Sequence, residues 1–140
     1  MRKIALIAMV FILCLTGLSV AAGLSCTCDD NSFNNSFAPR LKYPRNNIAV
    51  LTADAPLKFS WWNDVMDTRG FILKVYKGYN MYAASLMLKE ELLQDASSFS
   101  VKSSLFNDGQ VYTWSLVRVS GGGYKSDRSF NSFKVIKKNG

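Results

Sequence analysis

Between Gly109 and Arg118 the chain reads Gly-Gln-Val-Tyr-Thr-Trp-Ser-Leu-Val-Arg, with Tyr112, Trp114 and Leu116 two residues apart directly after the turn signal Asn107-Asp108-Gly109. A period of two puts these side chains on one face of a β-strand. A strand this apolar on one face must bury that face against another layer, which directs the chain toward a sheet packed on a sheet. The alternation recurs in Leu57, Phe59 and Trp61, in Phe71, Leu73 and Val75, and in Phe133 and Val135, each separated by polar or smaller residues. Together these positions are the expected structural core.

Shorter strands are expected over 48–51 and 98–106, the latter with Leu105 against the core. Residues 81–94 are ambiguous, because Ala84, Leu86, Met87, Glu90, Glu91 and Leu92 all favour helix by intrinsic propensity. A strand over 81–88 followed by a helical turn from Lys89 is the reading adopted. No long amphipathic helix is expected, so the fold class is all-β, a roughly seven-stranded antiparallel β-sandwich over residues 48–138. Tyr112 is placed to fill the core with its ring while its hydroxyl reaches loop backbone.

Leu57-Lys-Phe-Ser-Trp61, Phe71-Ile-Leu-Lys-Val75, Gly109-Gln-Val-Tyr-Thr-Trp-Ser-Leu116 and Ser132-Phe-Lys-Val135 resemble the strands of a fibronectin type III-like domain of the exported bacterial kind. Within the wider immunoglobulin-like group, Trp61 matches the second-strand core tryptophan, Tyr112 the sixth-strand tyrosine corner, and Trp114 a frequent aromatic. What the resemblance implies is a non-enzymatic module used for spacing, display or binding. Fold alone does not settle the activity.

Ahead of the domain, Arg2 and Lys3 precede an apolar run from Ile4 to Leu18, and Val20 and Ala22 supply the small side chains that a signal peptidase accepts. Residues 1–22 are therefore expected to be a signal peptide, with cleavage between Ala22 and Gly23. Cys26 after Gly-Leu-Ser also resembles a bacterial lipoprotein signal, although Gly23 stands where that pattern usually carries an aliphatic residue. Lipidation at Cys26 would anchor an otherwise soluble domain. Localisation is expected to be secreted, periplasmic or cell-surface, and any membrane contact is expected only through such an anchor. Residues 23–47, rich in Asn, Ser and Pro, read as a polar extended leader.

Of the whole chain's formal charge of +7, Arg2 and Lys3 leave with the signal, so that fifteen basic residues face ten acidic ones and the mature charge is +5. Such a domain attracts anionic polymers or headgroups. No nucleic-acid motif accompanies the charge, so nucleic acid is not an expected partner.

The chain has no histidine, which removes the commonest neutral-pH base and the Ser-His and Cys-His couples. Cys26 and Cys28 have no second pair to complete a tetrahedral metal site, and Gly121-Gly122-Gly123 lacks the lysine of a phosphate-binding loop. The carboxylates Asp64, Asp67, Glu90, Glu91, Asp108 and Asp127 fall in expected loops or at strand ends. The expectation is no enzyme, no cofactor and no metal. Aromatics that alternation does not turn inward, Trp62, Tyr82 and Tyr124, with Lys125 and Arg128 beside the last of them, form a candidate contact surface for an envelope or surface protein, or for an anionic or carbohydrate polymer. Tyr76 and Tyr79 share that irregular placement.

Overall fold

The structure, a computed structural model, describes residues 37–45, 47–52 and 54–138. The expected signal segment, the cleavage pair Ala22 and Gly23, and Cys26 lie outside the described residues. Eight strands follow in chain order: β1 Leu41–Tyr43, β2 Ile48–Thr52, β3 Leu57–Trp61, β4 Thr68–Lys77, β5 Leu86–Leu93, β6 Ser98–Val101, β7 Val111–Ser120 and β8 Ser129–Lys138. They form two sheets, one ordered β1-β3-β6 and the other β2-β8-β7-β4-β5. The fold is an all-β sandwich.

Its core sits between the inward faces of the two sheets. Leu57, Phe59 and Trp61 from β3 meet Phe71, Leu73 and Val75 from β4, Tyr112, Trp114 and Leu116 from β7, and Phe133 and Val135 from β8, all buried. Aromatic contacts bridge the sheets. Phe59 lies 5.1 Å from Trp114 and 5.9 Å from Phe133 between ring centroids, and Trp61 lies 5.5 Å from Phe71. Their tilted and edge-on geometries suit the quadrupoles of the rings, and each large apolar side chain so buried is worth about 1.5–3 kcal/mol.

Tyr112 reaches back across the turn, where its hydroxyl accepts the Asn107 backbone N–H at 2.8 Å. This is the geometry of a tyrosine corner, which pins the connection entering β7 to the core. Phe106 packs edge-on against the same ring at 5.0 Å and is fully buried, whereas Leu105 is 38% exposed. The expected strand over 98–106 instead ends at Val101, and a 3-10 turn over Ser103–Leu105 rotates the chain by one position. Phe106 thereby takes the inward place expected for Leu105.

Three further expectations are corrected. The eighth strand, β1, lies within the segment expected to be leader, so the sandwich begins upstream of Ile48. Leu41 in β1 pairs opposite Trp61 and packs on the core, which gives a short polar-looking segment an apolar anchor. The sheets are not wholly antiparallel, because β2 pairs parallel to β8, with Ile48 opposite Lys134 and Thr52 opposite Lys138. After β1 the chain crosses through a cis Tyr43-Pro44 bond and Asn47 at φ 57° into the other sheet. It continues in the same sense there, so the strand beside β8 runs with it.

The third correction concerns residues 81–94, where the order is reversed. A 3-10 turn over Ala83–Ser85 comes first, and the Lys-Glu-rich stretch is β5. Pairing from Gly70 opposite Leu93 through Val75 opposite Leu88 lays it along the edge of β4. That tertiary pairing overrides a helix propensity of only a few tenths of a kcal/mol per residue.

Strand registers divide the connections between two ends. Leu41 opposite Trp61, Thr68 opposite Ser120 and Gly70 opposite Leu93 place residues 38–40, 62–67, 94–97 and 121–128 at one end, where the described chain enters. Residues 78–85 and 102–110 lie at the other.

Candidate functional site

At the entry end, residues 38–45 run along the edge of the smaller sheet, where β1 pairs with β3, and are clipped to β8 and β7 of the larger. Asn131 Nδ2 donates to the Pro44 carbonyl at 2.9 Å, Trp114 Nε1 donates to the same oxygen at 3.1 Å, and Ser129 Oγ donates to the Pro39 carbonyl. Two of these partners lie at the start of β8 and the third belongs to the buried core, so the path of this segment is fixed by the sandwich. An open groove of about 700 Å³ forms along it.

Arg40, Arg45 and Arg128 line that groove together with the rings of Trp62 and Phe130. Among the described residues no acidic side chain lines it, and Asp64 beside it forms an ion pair with Arg40. Both partners of that pair are well exposed, so it tethers a side chain rather than adding much stability. Lys42 Nζ lies 3.8 Å from the centre of the Trp62 ring, and the Arg40 guanidinium lies 5.4 Å from it. Cation–π attraction thus gathers further positive charge on the exposed indole. Lys42 also lines a neighbouring depression with Lys58, which extends the basic strip along the small sheet.

Of the residues singled out from sequence, Trp62 and Arg128 are brought together here and the others are not. Tyr82 sits at the opposite end, in the connection before β5, with Tyr79. Tyr124 folds over its own turn, since a Cβ on Gly122 would stand 3.0 Å from its ring. Lys125 lines a shallow depression with Arg69 and Glu91 near β5. Tyr76 is buried. Sequence reasoning missed Phe130, which is 60% exposed. Its signal was present, because inward Phe133 and Val135 leave Phe130 on the outward parity of the same strand.

The carboxylates are dispersed. Asp108 accepts the Lys137 backbone N–H at 2.7 Å at the far end, and Glu91 pairs with Lys89 on β5. Among the described residues, no group of three or more His, Cys, Asp or Glu side chains is placed to hold a metal ion. What the groove can do chemically is bind negative charge, since guanidinium forks match carboxylate and phosphate oxygens in pairs and exposed rings add flat apolar contact.

No family model matches the chain, and no curated protein matches it. Among solved structures, it is similar to the FN1-FN3 domains of chicken CNTN1, at 12% identity and a TM-score of 0.48, over 71% of this chain and 32% of that one. It is also similar to the solution structure of an fn3 domain of human contactin 1, at 14% identity and a TM-score of 0.48, over 75% of this chain and 82% of that one. The chain therefore spans about a third of the length of the chicken structure. Two facing sheets and the Tyr112 corner make the fold a β-sandwich of immunoglobulin-like architecture.

Proposed function

We propose that this protein is a non-enzymatic interaction module that docks an acidic segment of a partner protein in the entry-end groove. The observation that carries this reading is the convergence of Arg40, Arg45 and Arg128 with Trp62 and Phe130 on a backbone held by Pro44 and Pro39. Arginine and tryptophan dominate binding energy at protein interfaces because both desolvate large area with few rotors lost per contact. In this reading the chain is exported by its signal segment, sits in the periplasm, at the cell surface or outside it, with or without a lipid on Cys26, and serves as accessory to or subunit of a surface structure.

A second reading is favoured by the exposed rings, which stack on sugars as readily as on peptides. In it the groove holds an anionic envelope saccharide. Titration of the purified chain with a poly-glutamate peptide and with polygalacturonate, followed by NMR shifts of the Trp62 indole, separates the two. The protein reading expects the peptide to shift Trp62 more tightly. Replacing Arg45 and Arg128 with alanine is expected to weaken that binding about tenfold or more, on the scale of charge-assisted contacts. Tighter polygalacturonate binding selects the second reading, and a double variant that binds both probes as tightly as the unmodified chain removes the groove from either.

A further inference from the structure

β5 is the edge of the larger sheet, and no described residue pairs with its outer side. The smaller sheet has three strands where the larger has five. The pairing partners of β5 on β4, Phe71, Leu73 and Val75, are buried, whereas the inward residues of β5 itself, Leu88, Glu90 and Leu92, are only partly covered. Such an edge presents a row of backbone N–H and C=O groups that can pair with another strand. The edge is regular from Leu88 onward, since the register slips between Val75 and Tyr76 and leaves Met87 as the extra residue of a bulge.

The residues of this edge complement a second copy of themselves. Two antiparallel copies related by a two-fold axis must pair positions of like parity, because side chains directly opposite one another point to the same face. With the axis at Glu90, Leu88 stands opposite Leu92 and Lys89 opposite Glu91, each pair occurring on both sides of the axis. Shifting the axis to Lys89 opposes lysine to lysine and leucine to Glu90. Shifting it to Glu91 opposes glutamate to glutamate and Glu90 to Leu92. The Glu90 register alone matches apolar with apolar on the inward face and charge with opposite charge on the outward face.

We propose that β5 pairs with β5 of a second copy about a two-fold axis at Glu90, joining the two larger sheets into one continuous sheet. Leu88 and Leu92 of each copy extend the core across the junction. Lys89 and Glu91, already in contact at 3.0 Å within one strand, join their counterparts in an alternating row. The single mismatch is Glu90 facing its own copy at the axis.

That mismatch makes the proposal testable in both directions by sedimentation equilibrium on the purified chain. Dimer is expected at high micromolar concentration, as suits a short edge contact. Lys89→Glu places like charges at both outward pairs and is expected to weaken the dimer about tenfold. The double variant Lys89→Glu with Glu91→Lys restores it, and Glu90→Gln tightens it. Circular dichroism and a cooperative thermal transition in dilute solution confirm that each variant is folded. A chain that stays monomeric at about 1 mM, well above the range of a weak specific contact, overturns the proposal. So does a dimer indifferent to Lys89→Glu, or one weakened by Glu90→Gln; either places the contact elsewhere.

Discussion

Tyr112 shows how a single side chain couples a loop to the core. Its ring packs between Phe106 and Phe133 while its hydroxyl takes the Asn107 N–H, so removing the oxygen leaves the ring in place and the partly buried donor unmet. Tyr112→Phe is expected to cost about 1–2 kcal/mol, read from the urea midpoint at unchanged slope. Phe106 contributes in another way, as a fully buried aromatic whose loss leaves a cavity between the sheets. Phe106→Ala is expected to cost about 3–5 kcal/mol in the same measurement. Glu91 is an electrostatic case. The hydrogen bond from Lys89, and then the charge of that ammonium, hold its carboxyl below the ordinary glutamate range. The fold thus favours the ionised form, a contribution present above the ordinary range and lost as pH falls through the lowered value. In Lys89→Ala the Glu91 titration, followed by NMR of the side-chain carboxyl, is expected to move up toward the ordinary value. The tyrosine corner was legible in sequence because its spacing from the Asn107-Asp108-Gly109 turn is local. Phe106 was not, since a 3-10 turn shifts the parity that alternation assumes.

At the scale of elements, β4 is the strand on which the larger sheet depends, flanked by β5 and β7 along most of its length. Gly70 sits where β4 slips register against β7, and a Cβ there would stand 2.4 Å from the Leu92 carbonyl oxygen. That neighbour is backbone in a paired strand and cannot swing aside. Gly70→Ala is therefore expected to cost about 1–3 kcal/mol, as overpacking does, with the loss read by thermal unfolding. Hydrogen exchange should show the added opening first in β5, the strand pushed outward. β5 itself was misread because leucine, lysine and glutamate are good helix formers. Its strand state depends on β4, whose paired positions lie 10 to 23 residues away in sequence, which a local propensity cannot register. β1 was missed for a related reason: a three-residue strand has too little alternation to stand out from a polar segment.

For the molecule as a whole, the two ends of the sandwich carry different surfaces. The entry end holds Arg40, Arg45, Arg128 and Trp62 beside the point where the described chain begins, while Tyr79 and Tyr82 project at the other. A chain tethered through its N-terminal segment would thus present its basic groove toward whatever it is tethered to. The groove was half legible in sequence. Arg128 stood out beside Tyr124, whereas Arg40, Lys42 and Arg45 fall within the segment expected to be a polar leader. What the sequence by itself determined is the inward face of each strand, because a period of two is a local property that water enforces residue by residue. Only the tertiary structure decided which strands are neighbours, where the N-terminal segment crosses between the sheets, and hence which charges meet. Those outcomes rest on hydrogen bonds between positions as distant as Pro44 and Asn131, and no local pattern encodes such a pairing.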